Sequence, residues 1–141
     1  DRVMGRSVVL AGETRQISCV SMGNPHVVMF VPDVDSVPLR EVGPMIEEDP
    51  LFPLRVNVSF AEIQGRNRIR MRVWERGIGE TMACGTGACA AVVAAGENGF
   101  CEKGSDVHVS LPGGELIVNY TDDQILLTGS ATQVFEGVFE Y

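Results

Sequence analysis

Two hydrophobic periods alternate along the chain, and they mark out its elements. Residues 7–11 and 14–20 are β-rich runs on either side of Gly12-Glu13, a spacing that predicts a hairpin. Ser21-Met22-Gly23 breaks the pattern, and the apolar run 27–31 then predicts a third strand. Asn24-Pro25-His26 leads into it, and because Pro25 holds Asn24 extended, Asn24 and His26 fall at the mouth of that strand. The period then changes: Leu39, Val42 and Ile46 recur at helical spacing, with Ser36 placed to cap and Pro38 in the first turn. Gly43-Pro44 inside this helix is expected to kink or split it, and the stretch 50–53 to end it. Alternation returns at 56–63, with Val56, Val58 and Phe60 opposite Asn57, Ser59 and Ala61. After a turn at Gly65-Arg66-Asn67, residues 68–75 set Ile69, Met71 and Val73 against Arg68, Arg70 and Arg72, the arginines on an expected solvated face. Strands at 106–111 and 115–120 flank Pro112-Gly113-Gly114 as a second hairpin, 125–128 is a short strand, and 134–141 reads as a last one.

The stretch 75–96, ERGIGETMACGTGACAAVVAAG, follows neither period. It predicts a short helix opened by Thr86 or Gly87, closed by Gly96, and made thin by Ala88, Ala90, Ala91, Ala94 and Ala95. So thin a helix suits the centre of a fold, with sheet wrapped closely around it. Its first turn leaves N–H groups unpaired and carries the positive end of the helix dipole, so an anion fits there. Cys84 stands just before that turn, where a thiol is expected to have a depressed pKa. The elements together are strand hairpins and two helices, an α+β arrangement dominated by antiparallel sheet.

Composition narrows what such a site would serve. The 141 residues suffice for one domain with a core, and 45% of them are hydrophobic. A formal net charge of −8 argues against nucleic acid and anionic membrane surfaces as partners, but not against a small anion held locally. No apolar run is long enough to span a bilayer. The four cysteines, at 19, 84, 89 and 101, form no Cys-x-x-Cys pair, and neither His26 nor His108 lies at zinc-ligand spacing from them. A reduced, cytoplasmic setting without structural metal is expected, with Cys19, Cys89 and Cys101 acting as small buried hydrophobes.

Three chemistries compete for the cysteine-glycine stretch. Residues 85–90 fit the loose form of a dinucleotide fingerprint, but no strand runs directly into them and no second β-α-β unit follows. A nucleophilic Cys84 with His26 as its base is the second. The third is a thiol that moves a proton at a carbon next to a carboxylate, the first-turn N–H groups holding that carboxylate as charge spreads onto it. Inverting a stereocentre in this way needs a second acid–base group on the opposite face. Cys89, five residues on, lies about 140° around and about 7.5 Å along a helix, and should face away. The unit therefore reads as catalytically incomplete.

Glu75-Arg76-Gly77, Gly79-Glu80-Thr81 and 83–90 (ACGTGACA) closely resemble the second-half signature of the diaminopimelate epimerase family. Gly23-Asn24-Pro25-His26, Val56-Asn57-Val58 and the closing 128–131 and 134–137 resemble its other second-half motifs, in the right order. The resemblance implies a cofactor-independent isomerase that interconverts LL- and meso-diaminopimelate, on the route to lysine and peptidoglycan, with two cysteines on opposite faces of the α-carbon. Cys84 matches the second; the Cys-Gly-Asn-Gly motif of the first is not in this sequence. By the same resemblance Gly85 and Thr86 bind the reacting carboxylate. Asn24, Asn57 and Arg76 recognise the substrate's amino-acid groups, Glu75 contacts an amine, and His26 and Glu75 tune the thiols' protonation. It further implies mostly antiparallel strands curled around a central helix, as one of two domains of a homodimeric parent. Residues 1–132 would be the C-terminal domain and 133–141 a final strand that returns to the N-terminal domain. That strand is expected to be disordered here or to pair with another molecule. The alternatives are a proline racemase-like enzyme half, phenazine-type isomerases that share the fold but not the thiols, and a non-catalytic domain binding small anions.

Overall fold

The computed structural model describes residues 3–141. Within them the order is β1 (Arg6–Leu10), β2 (Glu13–Ser21), β3 (Pro25–Phe30), α1 (Leu39–Glu47), β4 (Asn57–Gly65), β5 (Arg68–Glu75), β6 (Gly79–Thr81), α2 (Gly85–Glu97), β7 (Asp106–Leu111), β8 (Gly114–Tyr120) and β9 (Ile125–Thr128). The strands form one sheet in the order β1-β2-β3-β4-β5-β7-β8-β9, with β6 paired to β5. Six of its pairings are antiparallel; β3–β4 and β5–β7 are parallel. Parallel neighbours need a crossover, and each crossover here contains a helix, α1 in the first and α2 in the second. The fold is the mixed α+β, mostly antiparallel arrangement that the hydrophobic pattern predicts.

Strand alternation sends the two helices to opposite faces. Val58 and Phe60 of β4 join Leu39, Val42 and Ile46 of α1 in one core. Ala61 of β4 and Ile69, Met71 and Val73 of β5 point the other way and join α2. Every residue of α2 from Gly87 to Ala95 is buried, and the helix packs against β2, β3, β4, β5, β8 and β9. Its small side chains permit that close approach.

Several local expectations are corrected. The first hairpin turns at Ala11-Gly12, both at positive φ (50° and 76°), so Glu13 already belongs to β2. Ser36 does not cap α1; its hydroxyl donates to the Asp33 carbonyl at 2.8 Å, and Pro38 occupies the cap position without a side-chain bond. Nor does Gly43-Pro44 split α1, which runs unbroken past it because Pro44 removes one donor while its carbonyl still accepts from Glu48 N at 3.1 Å. Gly43 is there for contact: a Cβ on it would lie 2.7 Å from the Trp74 ring. Gly96 does not close α2 but lets the Tyr120 ring approach, and the helix ends one residue later, at Glu97, in a Schellman motif. Gly99, at φ 76°, donates to Gly96 O at 3.2 Å, and Phe100 N reaches Ala95 O at 2.8 Å.

The arginine face of β5 is only partly solvated. Arg72 lies under β6 and the loop before α1, donating to Glu80 at 2.7 and 3.1 Å and to the carbonyls of Val34 and Val37 at 2.9 and 3.0 Å. Arg72 holds the Glu80 carboxyl below the usual carboxylate range. Among the cysteines, which are all free thiols, Cys89 and Cys101 are buried as expected; Cys19 is only half-buried, because it lines an apolar cavity beside Phe52. Residues 129–141 form no helix or strand and are exposed throughout, so the strand expected at 134–141 is absent: its alternating apolar residues have no neighbour to pair with.

Candidate active site

The head of α2 is built by its own cap. Cys84 is extended (φ −147°, ψ 106°), and its sulfur accepts the Gly87 N–H at 3.3 Å, the bond an N-cap oxygen usually makes. The N–H groups of Gly85 and Thr86, the first two of the helix, have no carbonyl within the helix to bond. Cys84 is 7% exposed, but Met82, Ala83 and Thr86 around it are exposed, so the sulfur lies just beneath the surface.

Three other segments converge there. From the start of β3, His26 places Nε2 at 3.1 Å from Asn24 Oδ1 and 3.1 Å from Thr86 Oγ1, and Asn24 Nδ2 donates to the same hydroxyl at 3.3 Å. The Thr86 hydroxyl in turn lies 3.7 Å from Cys84 Sγ. Asn24 Oδ1 can only accept, so Nε2 carries the imidazole proton and Nδ1 an unshared pair. Nδ1 is buried and has no partner. Burial lowers the His26 pKa to about 4; Glu75 opposes the shift and Arg76 reinforces it. The ring is therefore neutral at physiological pH.

The parallel register sets Asn57 of β4 beside His26. Asn57 is buried rather than solvent-facing, because both ends of its amide bind backbone: Nδ2 donates to Pro25 O at 2.9 Å, and Oδ1 accepts Arg76 N–H at 2.9 Å. It ties the mouth of β3 to the turn after β5. Glu75, at the end of β5, accepts from the Thr81 hydroxyl at 2.5 Å, and β6, which the sequence pattern does not reveal, exists to bring Thr81 there. Arg76 is exposed, donates to the Leu54 carbonyl at 3.0 Å, and has no carboxylate partner among the described residues. Asn24, His26, Cys84, Gly85 and Thr86 thus form one cluster; Asn57 and the Glu75-Arg76 pair flank it. The sequence reading missed Thr81, Leu54 and Ser59. Ser59 was legible as the residue two past Asn57 on the same strand face.

Comparison with known proteins decides the relationship. The sequence profile of the diaminopimelate epimerase family matches residues 18–134. The chain belongs to the diaminopimelate epimerase family. It is 49% identical over 139 residues to the diaminopimelate epimerase of Moorella thermoacetica, covering 97% of this chain and 49% of that protein. To the diaminopimelate epimerase of Pelotomaculum thermopropionicum it is 48% identical over 141 residues, covering 99% and 50%. The chain therefore spans about half the length of these epimerases. Among solved structures, a phenazine biosynthesis protein of the PhzF family from Bacillus anthracis superposes with a TM-score of 0.52 at 23% identity, covering 74% of this chain and 34% of the other. At that identity the likeness concerns the fold alone. Among the described residues no group of side chains is suited to hold a metal ion, and no helix is long and apolar enough to cross a membrane.

Proposed function

We propose that this chain carries one half of the active site of a cofactor-independent diaminopimelate epimerase, with Cys84 as one of two thiols that exchange the α-proton from opposite faces. One thiolate takes the proton, the C–H electron pair moves onto the substrate carboxylate, and the other thiol returns a proton to the opposite face. Cys84 Sγ at the head of α2, beside the N–H groups of Gly85 and Thr86, carries this reading. Those groups bind the carboxylate where negative charge develops, which lowers the barrier without a metal or a pyridoxal group. The neutral His26 and Asn24 fix the Thr86 hydroxyl next to the sulfur, and with Glu75 they set its protonation. Arg76 offers a guanidinium to a distal carboxylate in a bidentate contact. Asn57 recognises substrate through the turn it secures as well as by its own amide.

On this reading the sheet wraps α2 as the centre of one domain, residues 1–132, and a second domain supplies the other thiol across the exposed head of the helix. Residues 133–141 then form a strand on that second domain, within a homodimeric, cytoplasmic enzyme. The expected partner is thus the other domain, and the ligand a small amino acid.

The test uses the product of the complete gene. In D2O it should exchange the α-proton of diaminopimelate, read by NMR, and Cys84→Ala should reduce epimerisation by about a thousandfold or more. Turnover retained in that variant would reject the role of Cys84. Binding of diaminopimelate with no exchange would favour a domain that only holds small anions, and exchange of proline would favour a proline racemase-like enzyme.

A further inference from the structure

Ser59 lies on the face of β4 that looks toward α2, two residues beyond Asn57 and in register with Val28. Its side chain is completely buried, and its hydroxyl has no hydrogen-bond partner. A buried hydroxyl left unpaired costs about 1–3 kcal/mol, so its persistence there calls for an acceptor. The geometry of Gly87 shows where that acceptor is. A Cβ placed on Gly87 would lie 3.6 Å from Ser59 Oγ and 3.1 Å from Cys84 Sγ. Hydroxyl and sulfur therefore both lie against Gly87, at a point where a side chain would crowd the sulfur. They can be no further apart than those two distances combined.

We infer that Ser59 is a positioning residue for Cys84, a donor held in reserve for the thiolate. In the thiol form the sulfur already accepts the Gly87 N–H. When the sulfur loses its proton it becomes a strong acceptor, and the Ser59 hydroxyl, which has no partner of its own, can turn its O–H toward that charge. The other groups that bear on this sulfur are His26 on β3, through Thr86, and Cys89 on α2; Glu75 and Arg76 from the turn after β5 act on His26. None of them contributes a donor from the β4 side. The inference rests on Cys84 being the working thiol.

The experiment needs no substrate. The 141-residue chain is alkylated with iodoacetamide at neutral and at alkaline pH, and each cysteine is followed by peptide mass spectrometry. The neutral-to-alkaline rate ratio cancels access and reports the thiolate. Ser59→Ala should lower that ratio for Cys84 about tenfold, the size expected for a hydrogen bond to a charged group, and leave the ratio for Cys19 unchanged. Ser59→Thr, which keeps the hydroxyl, should restore at least part of it. An unchanged or increased ratio for Cys84 in Ser59→Ala would overturn the inference. So would a general rise in alkylation of the buried Cys89 and Cys101, which would mark Ser59 as a packing residue. If complete Cys84→Ala enzyme still turned over, the functional reading would fail instead, whatever Ser59 does.

Discussion

The two helices are crossovers of the same sheet, yet they are stabilised in opposite ways. α1 is one-sided: Leu39, Val42 and Ile46 face the core, and Arg40, Glu41 and Met45 face solvent. Around it stand the half-buried ion pair Arg72–Glu80 and the buried Glu47 carboxylate, which accepts from Trp74 Nε1 and Gly77 N at 2.8 Å each. α2 has no charge in its first turn and buries every residue from Gly87 to Ala95; its charged residue, Glu97, stands in the last turn. Charge therefore gathers around the helix that has no candidate chemistry, and on α2 it stands only at the tail, where Glu97 meets Lys103 at 2.7 Å. The first turn of α2 is capped at Gly87 by the Cys84 sulfur, leaves the N–H groups of Gly85 and Thr86 without a carbonyl of the helix, and holds no acidic side chain to offset the dipole. The comparison teaches that an anion site of this kind is made by enclosure and by the absence of competing charge rather than by added functional groups.

Packing gives the widest contrast. Ala91→Leu should cost about 3 kcal/mol or prevent folding, because Ala91 and every residue from Gly87 to Ala95 are buried and leave no room for a larger side chain. Met45→Leu on the outer face of α1, 56% exposed, should stay within about 0.5 kcal/mol. Urea unfolding of both variants measures this, and equal losses would break the contrast.

A second difference lies in pH. His26 beside α2 is buried and neutral, with its pKa lowered from 6.5 to about 4. Between those values the unfolded chain binds a proton that the folded chain does not, so the contribution is complete above pH 6.5 and is lost as pH falls toward 4. The loss is on the order of 2–3 kcal/mol. Thermal unfolding at pH 7.5 and 4.5 should therefore show a steeper decline for the parent chain than for His26→Gln, and parallel declines would show that the imidazole is not titrating there.

A smaller loss than that of Ala91→Leu is expected on the charged side. Glu47→Gln keeps the shape but turns an NH2 toward either the Trp74 or the Gly77 donor, costing about 1–2 kcal/mol. Amide exchange at Gly77 should quicken in that variant, and an unchanged Gly77 would mean that Glu47 does not hold the turn after β5.

The strands and the helix of small residues were legible because period and residue size report burial directly: Ile69, Met71 and Val73 alternate, and 88–95 holds nothing large. The site was legible as motifs, Asn24-Pro25-His26 and the Cys84 loop, but not as an arrangement. A parallel pairing with α1 in its crossover sets His26 beside Asn57, α2 in the other crossover presents Thr86 to it, and nothing local in the sequence encodes which elements become neighbours. The same holds for β6, three residues long and placed by its pairing with β5, and for Arg72, whose burial depends on the distant loop before α1. The end of α2 misled for a different reason. Gly96 and Gly99 are chemically identical, and only the backbone angle of Gly99 and the Tyr120 ring over Gly96 tell a cap from a contact.

The pairing of β5 with β7 also sets a timetable for the nascent chain. Arg68 of β5 pairs with His108 of β7, so at about 5–20 residues per second that edge waits for several seconds of synthesis before its neighbour exists. Throughout that interval Ile69, Met71 and Val73 have only β4, β6 and the growing helix for company. Refolding of the finished chain, where all partners are present from the outset, should be less prone to misassembly than folding during translation.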